Sequence, residues 1–592
     1  MKTIILITMI SLINMGLSQT SVTSFYVSGT WTLAGSPYLI QNDITVLSSQ
    51  TLFIEQGVEV KFQKETNLTI NGQMIADGVT FEAIDTTGWS NQTTTNGGWN
   101  GIHFMPFTGI DNSIFNNCIV RDCKYGYSYT ILYSNAFTCC RQLNITNCLF
   151  ENNHSGTGTY ISDMMIYLAP QNSSDTIIFD KCTVRNNYSV FGAVRNSNYY
   201  GGYTSITNAQ IYNNNGGSAI WSVWNNLLIE NNDIYSNVSI GDNSAIKLSI
   251  GDAIVRGNKI HHNECDELAA VGCRSGNVLI ENNLICNNIQ NSGDCGMLGG
   301  GGGINLSHNE GGASFSDTYY VVRNNVISNN YSGYGGGGIY VYNSRATISN
   351  NHIINNSAIT NGTAILISSP LSEVIIKNNL FFGKDQTGII DSVGIIHVIS
   401  AADIEFDFNY TPSHFNTAIT YESSFNIIGD STHNIIGSNP EMISPTVNNQ
   451  STTNALFSDF NISPNSLCID NGDTSYAQNS SIDYLANQRI INNVIDIGAF
   501  ENLNDLNVEN SISNQEIDFN LYPNPVSKSG QLIIETSSQG VIKVTDVNGK
   551  VVRAEDTQTS KTIIELSGLE SGLYVIIFEG EYIVSKKIVV TN

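Results

Sequence analysis

The stretch Ile229-Glu-Asn-Asn-Asp-Ile-Tyr-Ser-Asn237 recurs along the chain with small changes. It returns as Ile280-Glu-Asn-Asn-Leu-Ile-Cys-Asn-Asn288, Val322-Arg-Asn-Asn-Val-Ile-Ser-Asn-Asn330 and Ile348-Ser-Asn-Asn-His-Ile-Ile-Asn-Asn356, and looser copies end at Cys123, Asn153, Asn187, Asn214, Asn263 and Lys384. Successive copies are mostly about 23 to 34 residues apart, and each contains short apolar runs separated by Asn-containing turns. A repeat of this length and pattern is typical of a parallel β-solenoid with one coil per repeat.

The repeat explains an excess of Asn: the chain has about 76, as many as its 51 acidic and 25 basic residues together. Coils stack ~4.8 Å apart, so equivalent side chains form ladders along the axis. An Asn amide can donate to and accept from the next amide, and Asn tolerates the left-handed backbone of a sharp turn. Stacked Asp side chains would instead repel by about 3.5 kcal/mol per pair. We assign both the turn and the ladder to the fourth position of the repeat, which reads Cys118, Cys148, Cys182, Ala209, Asn232, Asn258, Asn283, Asn325, Asn351 and Asn379.

Composition and the first residues indicate an exported protein. The net charge of −26 argues against nucleic acid or anionic lipid as a main partner, and 41% hydrophobic residues suffice for a core. Residues 1–18 combine Lys2 with a short apolar run and small residues before Gln19, which is typical of a signal peptide. No later segment approaches the ~20 apolar residues that span a bilayer. We therefore expect a mature chain without a transmembrane segment, and a monomer.

The 11 Cys would then meet an oxidising compartment. Their spacing favours two disulfides, Cys265 with Cys273 and Cys286 with Cys295. The Cys at the fourth repeat position are expected to pack as small hydrophobic residues instead. An odd total leaves at least one thiol free.

Segments on either side of the repeat resemble known families. Gly29-Thr-Trp31, Ser36-Pro-Tyr38 and Leu52-Phe-Ile-Glu-Gln-Gly-Val-Glu-Val-Lys-Phe62 are similar to the opening of secreted bacterial right-handed parallel β-helix proteins. This resemblance implies N-terminal capping coils over residues 19–110 and a right-handed parallel β-helix over 111–460. Capping is expected because an open solenoid end exposes strand edges.

Residues 461–501 contain Cys468-Ile-Asp-Asn-Gly-Asp473 and Val494-Ile-Asp-Ile-Gly-Ala-Phe-Glu501, and resemble the closing segment of choice-of-anchor Q proteins. Their acidic residues have two interpretations. Asp470, Asp473 and Asp483 are candidate metal ligands, for which calcium is the possible ion and no other cofactor is evident. The interpretation that we favour is a cap in which Arg489 pairs with one acidic residue.

Composition changes again after a polar linker at 502–518. Residues 519–592 contain alternating apolar strands and turns, which predict a small immunoglobulin-like β-sandwich. Four motifs resemble the type IX secretion sorting domain of Bacteroidetes: Leu521-Tyr-Pro-Asn-Pro-Val526, Ile542-Lys-Val-Thr-Asp-Val-Asn-Gly-Lys550, Leu569-Glu-Ser-Gly-Leu-Tyr-Val575 and Ser585-Lys-Lys-Ile-Val-Val590. The resemblance implies passage through the outer membrane by the type IX machinery, removal of the domain, and attachment to the cell surface or release.

This all-β architecture leaves two hypotheses for function open. The first is binding of extracellular polysaccharide, because aromatic side chains cluster at Tyr125-Gly-Tyr127-Ser-Tyr129, Tyr199-Tyr200 and Trp221/Trp224. The alternative is a polysaccharide lyase or a glycoside hydrolase acting on an acidic glycan, with a lyase favoured. Its candidate catalytic residues come from the densest ionisable stretch and are Lys247, His261 and Arg274. The same charges would also suit solvated loops.

Overall fold

The structure is a computed structural model of the chain. It describes residues 19–89, 96–105, 113–124, 137–139, 143–154, 165–170, 172–291, 299–308, 315, 318–360, 362–383, 395–400, 403–413, 418–422, 426–428, 431–449, 453–476, 482–503, 519–523, 526–528, 530–536, 539–545, 551–557, 561–569, 572–579 and 583–591. The predicted signal peptide, most of the linker, Cys295 and the Tyr125–Tyr129 cluster lie outside these ranges. The chain divides into two compact units, Met1–Asp505 and Leu506–Asn592.

The first unit is a parallel β-solenoid, as the repeat predicts. One coil runs through Ile220–Glu230 in sheet B, Asp233–Tyr235 in sheet A and Val238–Ser239 in sheet C, and the next coil begins with Ile246–Arg256 in sheet B. Each strand pairs in parallel with its counterpart one coil away, for example Ile234 with Ile260. Three sheet walls follow, with the apolar core inside.

Sheets A and C hold the shorter strands of each coil. Within the described ranges, sheet A contains 16 strands: Thr20–Val22, Tyr38–Ile40, Glu59–Phe62, Thr80–Ala83, Ile119–Arg121, Leu149–Glu151, Thr183–Arg185, Gln210–Tyr212, Asp233–Tyr235, Lys259–His261, Leu284–Cys286, Val326–Ser328, His352–Ile354, Leu380–Phe382, Tyr410–Thr411 and Ile435–Ile436. Sheet C comprises Tyr188–Ser189, Asn215–Gly216, Val238–Ser239, Glu264–Cys265, Ile289–Gln290, Tyr331–Ser332 and Ser357–Ala358.

Sheet B receives two consecutive strand segments from most coils. Its described strands are Gly29–Trp31, Ile44–Val46, Thr51–Ile54, Leu68–Ile70, Gln73–Asp77, Ile102–Phe104, Ile114–Asn116, Phe137–Cys139, Leu143–Thr146, Ile166–Leu168, Thr176–Asp180, Val194–Ser197, Tyr203–Thr207, Ile220–Glu230, Ile246–Arg256, Val271–Arg274, Asn277–Glu281, Ile304–Ser307, Tyr319–Arg323, Ile339–Tyr342, Arg345–Ser349, Ile365–Ser368, Glu373–Lys377, Ile396–Val398, Asp403–Asp407, Ile419–Tyr421 and Asn426–Ile428. The strands of residues 19–104 continue into those of the repeat region in unbroken parallel register.

The turn and the ladder are divided between two neighbouring residues, which corrects the assignment of both to the fourth repeat position. The third residue adopts the left-handed conformation, with φ of 56° at Asn231. The fourth residue is buried and forms the ladder: the backbone N–H and Nδ2 of Asn232 both donate to Oδ1 of Asn258, each at 2.9 Å. Nδ2 of Asn232 also donates to the carbonyl of Ile206 at 2.9 Å.

A second ladder occupies the ninth repeat position, at the corner between sheets A and C. Nδ2 of Asn237 donates to Oδ1 of Asn263 at 3.0 Å, and Asn263 donates in the same way to Asn288. Here too the preceding residue has a positive φ, of 52° at Ser236. Two buried amide ladders with two left-handed turns therefore account for the paired Asn of the repeat.

The predicted bond between Cys265 and Cys273 is wrong. Both are free, buried thiols, and they belong to strands of different sheets, Glu264–Cys265 in sheet C and Val271–Arg274 in sheet B. Both side chains pack in the apolar core, as do those of Cys118, Cys148 and Cys182. Cys286 is also a free, buried thiol, and its predicted partner Cys295 lies outside the described ranges.

Residues 440–502, which include the predicted segment 461–501 and are hereafter the closing segment, lie along the outer face of sheet A. Outward side chains from five successive strands, Leu284, Val326, Ile354, Leu380 and Tyr410, form one apolar cluster with residues of the segment: Ala455, Phe460, Ile462, Cys468, Ile497, Ala499 and Phe500. Within the segment, Met442–Ser444 pairs with Asp459–Ile462 in antiparallel fashion. Short 3-10 helices span Leu33–Gly35, Ser431–His433, Ala455–Phe457 and Thr474–Tyr476.

Asn side chains at the left-handed corners hold this segment. Nδ2 of Asn378 donates to the carbonyl of Asp473 at 2.9 Å, and Nδ2 of Asn355 donates to that of Thr446 at 2.8 Å. The Arg489 guanidinium is fully buried and pairs with the Glu501 carboxylate at 3.0 Å, as the cap interpretation predicted. Burial raises the pKa of Glu501, and the guanidinium of Arg489 opposes that shift.

The second unit is a small β-sandwich, again as predicted. One sheet pairs Phe519–Tyr522, Gln531–Thr536 and Lys561–Glu565, and the other contains Val526–Ser527, Gly540–Thr545, Val551–Thr557, Gly572–Glu579 and Ile583–Thr591. Residues of both sheets, among them Ile534, Ile564, Ile542 and Phe578, form one buried cluster.

Candidate functional site

Lys247 and Arg274 converge on one carboxylate. Asp242 lies in the loop between Val238–Ser239 and Ile246–Arg256, and its carboxylate accepts from Arg274 Nη1 at 2.7 Å and also from Nη2. Nζ of Lys247 donates to the Asp242 carbonyl at 2.6 Å and lies 3.4 Å from its carboxylate. Both cations are buried, so their charges hold this loop against sheet B.

Trp221 lies between two cations of neighbouring coils. Arg195 and Lys247 occupy the register positions on either side of Trp221, 4.3 Å and 5.1 Å from its ring centroid. The indole is therefore covered on both faces by cation–π contacts. A cavity of about 390 Å³ adjoins this stack and is also lined by Phe191 and Asp242.

His261 lies elsewhere. Its ring stacks on Tyr235 in sheet A with centroids 5.1 Å apart, and Nε2 is 2.9 Å from Oδ1 of Asp233. The Tyr235 ring stacks in turn on Tyr212 at 4.8 Å. The three candidate catalytic residues thus do not form one site: Lys247 and Arg274 meet, and His261 belongs to a stack on another wall.

The candidate metal ligands Asp470, Asp473 and Asp483 also do not form one site, because each has different hydrogen-bond or ion-pair partners. The Asp483 carboxylate accepts three backbone N–H groups, from Leu485 at 2.9 Å, Asn487 at 2.7 Å and Glu501 at 2.8 Å. Asp473 accepts from Ser475 and lies 3.6 Å from Nζ of Lys377. The Asp470 N–H donates to Asp496 instead. In the described part of the chain, no three His, Cys, Asp or Glu side chains are grouped as metal ligands.

An exposed aromatic ridge, formed by Tyr199, Tyr200 and Trp224, lies at the bend between the two strand segments of sheet B. These side chains are 62%, 56% and 43% exposed. The Tyr199 ring meets Trp224 edge to face at 4.9 Å and Tyr200 at 5.1 Å. Trp224 has a φ of 50°, an uncommon conformation for a bulky residue. Two of the predicted aromatic clusters therefore contribute to the ridge, but Trp221 does not.

A groove adjoins the ridge along the chain. It has a volume of about 460 Å³ and is lined by outward side chains of four successive coils: Leu228, Ile254, Leu279 and Val321. Asn226 and Tyr203, which also line it, are two and three residues from Trp224 and Tyr200. This groove was not predicted from the sequence.

A signal for the groove is nevertheless present in the sequence. A strand with one face in a core alternates apolar and polar residues. In Leu227-Leu-Ile229, Ala253-Ile-Val255 and Val278-Leu-Ile280 the outward middle residue is apolar as well. Three apolar residues in a row thus occur in these three strands of the groove.

Comparison with protein families concerns the second unit. Residues 520–591 match the family described as the secretion system C-terminal sorting domain. These residues are a secretion sorting domain. The sorting domain belongs to the type IX pathway, and it assigns the chain to export, with a cell-surface or secreted location. Among the described residues, no helix is long and apolar enough to cross a membrane.

No curated protein matches the chain. The chain is similar to a solved structure described as "a new PL6 alginate lyase complex with trisaccharide", with 14% identity and a TM-score of 0.31. The similarity covers 75% of this chain and 87% of the other. At this level it carries no inference about function.

Proposed function

We propose that this exported solenoid binds extracellular polysaccharide at the aromatic ridge. The observation that carries the proposal is the ridge itself, three large rings that are about half exposed and contact one another. Exposed rings in contact form an apolar patch bordered by polar groups, which is typical of an interaction site. Sugar rings present apolar C–H faces between polar hydroxyl groups, and these faces stack on aromatic rings.

The geometry of the ionisable residues supports binding over the lyase alternative. A lyase needs a base that can take a proton, together with cations that neutralise the uronate. Lys247 and Arg274 both contact Asp242, and Lys247 also contacts Trp221. The contacts of Lys247 and Arg274 therefore hold the loop that contains Asp242. His261 lies on another wall of the solenoid.

The test is retention of the exported protein on immobilised neutral and acidic polysaccharides. We expect retention on at least one of them, and a reduction of about tenfold in affinity for Trp224→Ala and Tyr199→Ala. Tyr421→Ala is the matched control, because Tyr421 is 64% exposed and lies outside the ridge. Equal retention of the ridge variants and the parent would contradict the proposal. Release of unsaturated sugars during the incubation would favour the lyase instead.

A further inference from the structure

The groove beside the ridge repeats with the coils. Leu228 pairs with Ile254, Ile254 with Leu279, and Leu279 with Val321 in the parallel register. All four side chains point away from the core, and Ile254 is 36% exposed. They form an apolar floor with one residue per coil, spaced ~4.8 Å apart.

Polar side chains follow both edges of this floor with the same period. On one edge, Nδ2 of Asn277 donates to Oδ1 of Asp252 at 3.1 Å. On the other edge, a ladder of ion pairs joins Glu230 to Arg256 at 2.7 Å, Arg256 to Glu281 at 3.5 Å and Arg323 to Glu281 at 2.8 Å.

The charges along the groove disfavour an anionic ligand. Both arginines of the ladder are paired with glutamates, and Asp252 adds a further negative charge. Asp252 is the charged side chain among the residues that line the groove, and the flanking ladder contains two glutamates and two arginines, within a chain of net charge −26. A polyanion would meet repulsion here and no uncompensated cation.

We infer that the groove holds a single neutral polysaccharide chain, extended along the solenoid axis with one sugar per coil. This inference rests on the proposed function and names its ligand class. A pyranose in an extended chain advances by nearly the same distance as one coil. Each ring can therefore place its apolar face on Leu228, Ile254, Leu279 or Val321, while its hydroxyl groups meet the two polar edges.

The arrangement predicts a dependence on chain length. Affinity rises with each added sugar until the four apolar coils are spanned, and then levels off. The probes are cello-oligosaccharides of graded length, with oligogalacturonates as their acidic counterparts. Isothermal titration with the exported protein measures both series.

Two variants test the groove. Ile254→Asp places a charge in the middle of the floor and should reduce affinity for the neutral chain by about tenfold or more. Ile178→Asp is the control, because Ile178 occupies the same outward row three coils from Ile254 and does not line the groove. Asp252→Lys replaces the negative charge at the edge of the groove by a positive one and should allow oligogalacturonate to bind.

The outcomes separate this inference from the proposed function. Loss of binding in Trp224→Ala with full binding in Ile254→Asp would overturn the groove and leave the ridge. Tighter binding of oligogalacturonate than of the neutral series to the parent would also overturn it. Absence of any retained polysaccharide would overturn both.

Discussion

At the corner between sheets B and A, two consecutive Asn residues have different environments. Asn231 is exposed and has a left-handed backbone, whereas Asn232 is buried and forms the ladder with Asn258 of the next coil. Both Nδ2 hydrogens of Asn258 are donated, to the Ile229 carbonyl and to Oδ1 of Asn283. An acidic side chain suits the first environment and is excluded from the second.

Substitution of the ladder residue tests this division. Asn258→Asp replaces two donated hydrogen bonds by contacts between a buried carboxylate and two acceptors, and we expect a loss of about 3–5 kcal/mol. Asn231→Asp should cost less than about 0.5 kcal/mol, because Asp also tolerates a positive φ. The denaturant midpoint of each variant measures the difference, and equal losses would contradict the assignment.

His352 makes the contact between sheet A and the closing segment sensitive to acid. The imidazole is buried, and Nδ1 accepts the Ala499 N–H at 2.7 Å. Burial, with a smaller contribution from Arg489, lowers the pKa of His352 from 6.5 to about 3. The folded state thus favours the neutral ring, and protonation would remove the acceptor.

The stabilisation of this contact by the neutral His352 ring should be fully present above about pH 6.5. It should fall by up to a few kcal/mol as the pH decreases toward 3. Limited proteolysis of residues 440–502 between these limits would follow the loss. His352→Gln cannot titrate, so its cleavage rate should depend less on pH. An unchanged pH profile in this variant would show that other groups cause the sensitivity.

At the scale of elements, the outer face of sheet A changes character along the solenoid. One outward row reads Thr183, Gln210, Asp233 and Lys259, and continues as Leu284, Val326, His352, Leu380 and Tyr410. The apolar part of this row is the part that the closing segment covers. The half of the face that contacts solvent is therefore polar, and the half that contacts the closing segment is largely apolar.

This contrast predicts the effect of shortening a side chain in either half of the row. Leu380→Ala should weaken docking of the closing segment by about 2–5 kcal/mol, since the side chain is fully buried in the shared cluster. Thr183→Ala, in the same row but uncovered, should change stability by less than about 0.5 kcal/mol. Thermal unfolding and protease sensitivity of the segment measure both, and similar values would contradict the covered-half assignment.

At the scale of the whole molecule, the solenoid and the sorting domain have separate cores. Removal of residues 506–592 should therefore leave the melting temperature of the solenoid unchanged, because no core residue of the solenoid is taken away. The same deletion should abolish appearance at the cell surface or in the medium, since the sorting domain directs export. Cell fractionation measures export, and surface exposure of the truncated chain would contradict the role of the domain.

The solenoid, its apolar core and the sorting domain could be predicted from sequence alone. Each depends on local patterns: a repeat with one coil per period, Asn at positions that need a left-handed turn or a neutral ladder, and contiguous motifs near the C-terminus. The separate roles of Asn231 and Asn232 could not be predicted in this way, because neighbouring residues of a turn differ only in backbone angle and direction.

The candidate sites depended on the tertiary structure. Which wall a side chain occupies is decided by how many residues each corner uses, so Cys265 and Cys273 lie in different sheets and His261 lies apart from Lys247. The closing segment follows the coils that it covers by up to about 200 residues in sequence, and no local pattern predicts contacts between residues so far apart. Sequence by itself determined the stacking of coils, because stacking repeats the same contact in every coil. Only the folded chain decided what lies on their outer faces, because those contacts join residues that occur once.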